Sequence, residues 1–434
     1  MTNARLAAAL TFTGLGLALL ITLALTTPWQ PLPGQIAGHP PAGAVTPDPA
    51  RDFTAAQLTR SASFSGDLRG PAYLGLAAEL LSVLAIGLTP LGARLLGMVT
   101  RPVRRWPLQV VAASLTLTVV LQVVALPFDA WSETVLRRYG LSTQDWTAWA
   151  LDWLRSSAIA AIMWIVVFLL LHLLVRRFPR YWWAPAAMGG FLLVVAFSFL
   201  YPVIVEPVRN SFTPMKPGPL RTELLRLAAS DHVPVRDVLV ADASRRTTAL
   251  NAYVSGFGST RRIVVYDTLL TSASPGEIKL IAAHELGHAK RGDVLHGTLI
   301  GALGASAGIC LLYLATTSRR VLSRVGVTSM ADPRAIFLVV AVVTVLTQLA
   351  GPAENLVTRR IEARADVHAL DLTRDPVTFV RMQRTLSVRN VSGLRPDPVA
   401  YVLWATHPTG PERIAMARTW ARLHQVGEPP SLVP

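Results

Sequence analysis

Two histidines and a glutamate stand close together between positions 284 and 288. The segment reads His284-Glu285-Leu286-Gly287-His288, an H-E-x-x-H pattern. On a helix, residues four apart are rotated by about 40°, so both imidazoles leave one face and can reach a single Zn²⁺ ion. Glu285 is then placed to accept a proton from a metal-bound water, as in metallopeptidases. The alternative interpretation is a pair of structural histidines on one helix face.

A second cluster, 74 residues further on, offers the third ligand that such a zinc ion requires. Glu362 and Asp366 lie four residues apart, so one helix presents both carboxylates on the same face. Glu362 is the predicted ligand, and Asp366 would orient a ligand imidazole through its other ring nitrogen. We expect one zinc ion per chain. The alternative is a surface pair bound to neighbouring arginines, namely Arg359, Arg360 or Arg364.

The motif helix follows a segment that reads as short strands. Ser274-Pro275-Gly276-Glu277 has the form of a capping box with proline at the first helical position, so a helix should begin at Pro275. Gly258-Ser259-Thr260 predicts a turn between the last two strands. The three predicted strands are Val238–Asp242, Leu250–Phe257 and Arg262–Asp267.

The chain is too apolar for a soluble protein. Hydrophobic residues make up 52% of its 434 residues and charged residues only 15%, where a soluble protein carries about 25% charge. The predicted fold class is therefore an all-α polytopic membrane protein with a small α+β zinc-protease region. Seven stretches are long enough to span a bilayer: Leu6–Leu25, Ala72–Leu88, Leu108–Leu126, Ser157–Val175, Ala184–Val205, Leu299–Thr316 and Ala335–Leu349.

These elements divide the chain into four regions. Residues 1–205 should hold five membrane helices and 206–296 a soluble part with the strands and the H-E-x-x-H helix. Residues 297–354 should hold two membrane helices, and 355–434 a C-terminal part with the third zinc ligand.

The formal net charge of +15 does not indicate nucleic-acid binding. Nucleic-acid binding would require basic residues clustered with aromatics on a soluble module, and no such cluster is seen. Basic loops beside membrane helices account for the charge instead. Cys310 is the sole cysteine, so there is no internal disulfide.

The chain resembles the type I CaaX prenyl endopeptidase family, seven-span zinc proteases whose helices surround a large intramembrane chamber. The motifs that carry the resemblance follow in order: Leu126-Pro127-Phe128, Arg138-Tyr139-Gly140-Leu141, Tyr201-Pro202, Glu206-Pro207, Asn210, Phe212-Thr213-Pro214, Asn251-Ala252-Tyr253, the H-E-x-x-H segment, Arg359-Arg360-x-Glu362-x-x-Ala365-Asp366, Thr406-His407-Pro408 and Glu412-Arg413. One departure is Gly140-Leu141-Ser142, where the family usually has Gly-Phe-Asn.

The resemblance implies further roles. Asn251, Ala252 and Tyr253 look like the edge strand that pairs with an extended substrate, as in β-addition; a plain core strand is the alternative. His407 and Arg413 look like the late pair beside the scissile carbonyl, where they would stabilise an oxyanion; for His407 the alternative is a helix-start feature. Asp293, soon after the motif, is a second candidate for orienting a ligand histidine.

The predicted function is hydrolysis of peptide bonds by a zinc-bound water that Glu285 activates, with a peptide or a membrane protein as substrate. The resemblance carries the mechanism to this chain more strongly than prenylated substrates. An HtpX-like quality-control protease is the alternative enzyme; seven spans, rather than about four, favour the chambered type. A catalytically inactive seven-span receptor or transporter is the alternative from another class.

Two expectations conflict about which side of the membrane the active site faces. The resemblance implies a cytoplasmic active site. The short segments on the face opposite the soluble parts, however, hold twelve arginines, which favours that opposite face as cytoplasmic: Arg5, Arg94, Arg101, Arg104, Arg105, Arg176, Arg177, Arg180, Arg319, Arg320, Arg324 and Arg334.

Overall fold

The structure, a computed structural model, describes residues 3–32, 35, 40–202 and 206–433. Sixteen α-helices lie within these ranges. They are α1 (Asn3–Thr26), α2 (Ala55–Leu88), α3 (Pro90–Val99), α4 (Trp106–Arg138), α5 (Trp146–Arg177), α6 (Trp183–Leu200), α7 (Glu206–Arg209), α8 (Pro219–Ser230), α9 (Asp267–Ser272), α10 (Pro275–Arg291), α11 (Asp293–Thr316), α12 (Arg319–Arg324), α13 (Ile336–Thr373), α14 (Pro376–Arg389), α15 (Pro398–Trp404) and α16 (Gly410–Leu423).

Seven of the described helices are long and apolar enough to cross a membrane, and each contains all or most of one predicted span. They are α1, α2, α4, α5, α6, α11 and α13. Their outer faces expose large apolar side chains, Leu10, Leu20 and Leu81 among them. Lipid contact explains this exposure, since a bilayer solvates apolar side chains. Residues 203–205 of the fifth predicted span lie outside the described ranges.

Several helices continue far beyond their apolar parts. The longest, α13, has 38 residues and runs unbroken from Ile336 through Glu362 and Asp366 to Thr373. At 1.5 Å per residue it is about 57 Å long, well over the hydrocarbon thickness. The predicted regional boundaries at 296/297 and 354/355 therefore fall inside continuous helices, α11 and α13. The single helix α13 thus connects the membrane part to the candidate site residues Glu362 and Asp366.

A four-stranded sheet lies beside the motif helix. Its strands are β1 (Phe212–Pro214), β2 (Asp237–Ala241), β3 (Ala252–Ser255) and β4 (Arg262–Tyr266), in the spatial order β1-β2-β4-β3. The pair β2–β4 is parallel, whereas β1–β2 and β3–β4 are antiparallel. The three predicted strands correspond to β2, β3 and β4; β1 was not predicted. Because β3 ends the order, one of its edges has no strand partner among the described residues.

Two apolar cores hold the molecule together. One joins the membrane helices and includes Phe168, Phe337 and Tyr313. The other joins the sheet to α10, α14 and α16, and includes Ile263, Leu286 and Trp420, all buried. Packing of this second core fixes α10 against the sheet on one side and against the C-terminal helices on the other.

The two ends of α10 follow from its sequence. Ser274 accepts from the backbone N–H of Glu277 while the Glu277 side chain accepts from the N–H of Ser274, so the predicted capping box is present. At the other end Gly292 adopts φ +67°, the left-handed conformation that glycine favours. The chain turns there, and Asp293 opens α11 one residue later.

Candidate metal centre

The Nε2 atoms of the two motif histidines face each other from successive turns of α10. The Nε2 atoms of His284 and His288 lie 3.1 Å apart. His284 is buried and His288 is partly buried, so water has limited access to this pair. The predicted convergence of both imidazoles on one point is thus present in the fold.

Glu362 reaches the same point from α13. Its carboxylate oxygens lie 3.2 Å from Nε2 of His284 and 3.5 Å from Nε2 of His288. Among the described residues, these three form the group whose ligand atoms could hold a metal ion, all within 4.8 Å of one another. The alternative partners of Glu362 do not contact it: Arg364 pairs with Asp293 instead, and Arg359 donates to the carbonyls of Tyr401 and Ala405.

The Nδ1 atom of each motif histidine faces a carboxylate. Nδ1 of His284 lies 2.9 Å from Oδ1 of Asp366, and Nδ1 of His288 lies 2.9 Å from Oδ2 of Asp293. An ionised carboxylate only accepts hydrogen bonds, so each Nδ1 carries the proton. In the neutral imidazole each Nε2 then offers a lone pair to a metal ion. The two Nε2 atoms and the Glu362 carboxylate converge on one point, which is the arrangement a divalent cation stabilises.

Close helix packing makes this convergence possible. A Cβ atom added at Gly287 would meet the side chain of His368 at 3.0–3.1 Å, so a larger residue would require His368 or the helices to shift. His368 is itself held by the buried Asp231, whose Oδ2 lies 2.8 Å from His368 Nε2. The glycine of the motif therefore sets the helix separation that the ligands require.

Glu285 faces a cavity of about 720 Å³ next to the ligand cluster. The lining includes His284 and Glu285 on one side and Asn251 and Ala252 on another. Burial raises the pKa of the Glu285 carboxyl, a rise that the neighbouring histidines oppose. A carboxylate with a raised pKa is better matched to proton transfer near neutral pH.

His407 and Arg413 complete the lining on the C-terminal side. Nε2 of His407 lies 3.1 Å from Oε2 of Glu362, and its Nδ1 lies 2.9 Å from the hydroxyl of Thr406. Arg413 donates from Nε to Oδ2 of Asp366 at 2.7 Å. Burial disfavours the charge on Arg413, but the Asp366 carboxylate prevails and raises the pKa of this guanidinium.

Contacts before and after His407 fix the segment that contains it. Before it, Arg359 binds the carbonyls of Tyr401 and Ala405, and its guanidinium lies 4.6 Å from the centre of the Tyr401 ring. After it, Thr409 and Glu412 form the capping box that starts α16. Sequence reasoning missed these positioning contacts. The signal was available only for the capping box, in the Thr-x-x-Glu pattern.

The three residues of the predicted edge strand lie in two different places. Asn251 and Ala252 line the cavity, and the carbonyl of Asn251 accepts from the N–H of Tyr266 on β4. Tyr253 packs on the other face of the sheet with Tyr266 and Val264. Alternation within β3 accounts for the separation of Ala252 from Tyr253, since neighbouring strand residues point to opposite faces; Asn251 precedes the strand. Of the three residues, two are brought to the site and one is not.

Comparison with known proteins gives consistent matches. Residues 214–421 match peptidase family M48, and residues 74–211 match the CAAX prenyl protease N-terminal region, described as five membrane helices. An uncharacterized metalloprotease of Bacillus subtilis, YhfN, is 32% identical over 317 residues, covering 71% of this chain and 73% of that protein. CAAX prenyl protease 1 of Saccharomyces cerevisiae is 28% identical over 337 residues, covering 72% and 74%.

A solved structure shares the whole fold. The crystal structure of S. mikatae Ste24p superposes with a TM-score of 0.76 at 21% identity, covering 96% of this chain and 99% of that one. The similarity extends over the membrane helices as well as the soluble part.

Proposed function

This chain belongs to peptidase family M48 and is a multi-pass membrane metalloprotease resembling the CAAX prenyl proteases. From that premise we propose that His284, His288 and Glu362 hold one zinc ion, and that Glu285 acts with this ion as the base in the hydrolysis of peptide bonds. The observation that carries the proposal is the convergence of two imidazole nitrogens and a carboxylate oxygen, all within 4.8 Å of one another. Nitrogen and carboxylate ligands of this number suit catalytic zinc, which keeps one position open.

The roles of the chain's own groups follow from their positions. When bound, zinc supplies a Lewis acid that lowers the pKa of water and polarises a carbonyl oxygen. Glu285 lies between the two histidines in sequence and lines the cavity, so it accepts the proton of the attacking water and passes it to the leaving amine. Asp366 and Asp293 hold the imidazoles in the tautomer that presents Nε2.

The oxyanion is stabilised by the C-terminal pair. His407 is exposed to the cavity, with 55% of its side chain accessible, and can donate to an oxygen that develops charge there. Arg413 lies behind Asp366 and contributes a buried positive charge to the same wall.

The substrate is an extended peptide that adds to the sheet. Asn251 and Ala252, at the start of the edge strand β3, line the cavity, and main-chain pairing along β3 would place a peptide carbonyl beside the metal centre. A membrane-protein or peptide substrate satisfies this geometry, whether or not it carries a prenyl group. An HtpX-like substrate range is not better supported by the seven-span fold.

The active site faces the cytoplasm in this proposal. The arginine-rich segments gather at the opposite end of the bundle, where Tyr313 donates to the carbonyl of Arg180 and Arg176 to that of Ala331. That end would face outward against the usual charge bias. The long, basic soluble part, with Arg359, Arg360 and Arg364 next to the metal centre, offsets the bias on the inner side.

Cleavage by the purified full chain tests the function. In detergent, the protein should cleave casein, lose activity with 1,10-phenanthroline and regain it when zinc is restored. Activity that survives complete metal removal would overturn the zinc mechanism. Inactivity of the fully zinc-loaded protein towards casein and a random peptide library would overturn the general endopeptidase assignment.

A further inference from the structure

The end of the helix bundle opposite the metal centre carries charge of almost one sign. Its four segments, residues 1–5, 89–107, 176–183 and 317–335, contain twelve arginines and one acid, Asp332. Among the described residues, Arg334 is the only one of these arginines that forms an ion pair, and its partner is Asp332. Eleven guanidiniums therefore share this end with no carboxylate to balance them.

A cavity of about 470 Å³ lies at this end, between α3, α4, α5 and the segment before α13. We name it the Arg176 cavity. Arg334 donates through Nε to both carboxylate oxygens of Asp332, at 3.0 and 2.9 Å, so these two charges neutralise each other. Arg176 then supplies the net positive charge of the lining. The polar lining residues are Thr100, Gln109, Arg176, Ser329, Asp332 and Arg334.

Two contacts hold the Arg176 guanidinium at the cavity. Its Nη1 donates to the carbonyl of Ala331 at 3.4 Å, and its central carbon lies 5.2 Å from the centre of the Trp106 ring. A guanidinium has five N–H donors, so most of them remain available to a ligand. The hydroxyl oxygen of Ser329 accepts from the N–H of Ala331 at 3.2 Å, which leaves its own proton to donate. Guanidinium and hydroxyl donors together favour a phosphate.

The lining lies at the depth of lipid headgroups. Arg176 directly follows Val175, where the fourth predicted span ends, and Arg334 directly precedes Ala335, where the seventh begins. At 1.5 Å per residue, both backbone positions lie within about 2 Å of the predicted hydrocarbon boundary. The interfacial layer extends about 5–8 Å beyond that boundary. The phosphate of a membrane lipid therefore reaches the same level as these side chains.

Exposed apolar side chains stand next to the lining residues. Met98, Leu108 and Leu173 each lie one to three positions from a residue of the lining, and 60%, 55% and 51% of their surfaces are accessible. A polar cavity bordered by apolar surface matches a molecule with a charged head and apolar chains. A small soluble anion would make no use of that surface.

We propose that the Arg176 cavity binds the phosphate of an anionic phospholipid, whose acyl chains lie along α4 and α5. Basic pockets between membrane helices bind anionic headgroups in this way. The bound lipid joins α3, α4 and α5 to the segment that starts α13. Exposed arginines of the neighbouring segments raise the local concentration of anionic lipid: Arg101, Arg104, Arg105 and Arg177.

Native mass spectrometry of the full chain tests the proposal. The protein is released from detergent micelles that contain phosphatidylglycerol and phosphatidylcholine in equal amounts, with acyl chains of different mass so that each adduct is identified. The cavity variant is Arg176→Gln. The matched control is Arg177→Gln, which removes the same charge from the adjacent exposed position, outside the lining.

A second cavity variant, Gly97→Leu, keeps every charge. Gly97 lines the cavity, and a Cβ atom added there has no neighbour within 4 Å, so the leucine side chain can enter the cavity without displacing the backbone. Leucine also favours the helical conformation more than glycine does. This variant therefore decides the question alone if Arg176→Gln fails to fold.

The wild-type chain should prefer phosphatidylglycerol over phosphatidylcholine about tenfold in its first bound lipid. Arg176→Gln should reduce this preference about fivefold, the usual contribution of one arginine near an anionic headgroup, and Gly97→Leu should reduce it to a similar extent. Arg177→Gln should stay within about twofold of the wild type, because salt screens charges outside the cavity. Zinc content and casein cleavage should not change in these variants, so the result is independent of the proposed function.

Equal binding of the two lipids by the wild-type chain would overturn the proposal. Retention of the wild-type preference by a folded cavity variant, or an equal loss in Arg177→Gln, would assign the preference to the general charge of this end and not to the cavity. An excess of glycerol 3-phosphate should leave phosphatidylglycerol bound. Displacement to the level of Arg176→Gln would make the ligand a soluble phosphate instead of a lipid.

Discussion

Nδ1 of His284 lies 2.9 Å from Oδ1 of Asp366, and the same carboxylate accepts from Nε of Arg413. Asp366 is completely buried. A buried carboxylate with two partners is held in one orientation, and it holds the imidazole in turn. The relationship links α10, α13 and α16 at a point behind the three candidate ligands.

Replacing Asp366 by asparagine should weaken the metal site without removing a ligand. Loss of the charge reduces the basicity of His284 and leaves Arg413 without its ion pair, so zinc affinity or kcat/KM should fall about 10–100-fold. Zinc affinity is measured by competition with a chromophoric chelator. Unchanged affinity and activity would show that Asp366 has no role in orienting His284.

Glu362 and Glu354 provide a matched pair on one helix. Glu362 is buried at the metal centre, whereas Glu354 lies two turns earlier and is exposed. Glu362→Gln should lose zinc or nearly all activity, since an amide is a poor zinc ligand. Glu354→Gln should retain both. The reverse outcome would make Glu354 the third ligand and would contradict the alignment of Glu362 with the family motif.

His407 should affect the chemical step more than metal binding. It lines the cavity and lies 3.1 Å from Glu362, but it is not among the three convergent ligands. His407→Asn should lower kcat about 100-fold, as for loss of an oxyanion donor, with zinc content kept. His232→Asn is the control, an exposed histidine at φ +58° where asparagine is tolerated. Loss of zinc in the His407 variant would make it a ligand instead.

Much of the site was predictable because helix geometry is regular. An i, i+4 spacing places His284 with His288, and Glu362 with Asp366, on common faces whatever the fold. Seven apolar runs likewise predict seven spans. The confirmed capping box at Ser274 and Glu277 depends on contacts only three residues apart.

Long-range contacts were less accessible. The pairing of Arg364 with Asp293, and of Arg359 with the carbonyls before His407, joins residues more than forty positions apart. No local pattern encodes which acid an arginine will meet, so both arginines were equally good partners for Glu362 in the sequence. Strand β1 was missed because three residues, one of them proline, carry too little alternation to predict a strand.

Membrane orientation can be tested at the C-terminus. Ser431 is exposed, and Cys310 is buried, so Ser431→Cys in a Cys310→Ser background offers one reactive thiol. With the active site in the cytoplasm, a membrane-impermeant maleimide should label this thiol only after lysis. Labelling in intact cells would show an external C-terminus and reverse the proposed orientation.

The most direct test of the zinc mechanism is the Glu285→Gln variant of the purified full chain, assayed for zinc and for casein cleavage in the same preparation. Glutamine keeps the size of the side chain but cannot accept the proton, so the account predicts about one zinc per chain and cleavage reduced to background. His284→Ala with His288→Ala serves as the comparison and should lose both. Cleavage by Glu285→Gln at the wild-type rate would contradict the assignment of Glu285 as the base, and wild-type protein that binds no zinc would contradict the metal centre itself.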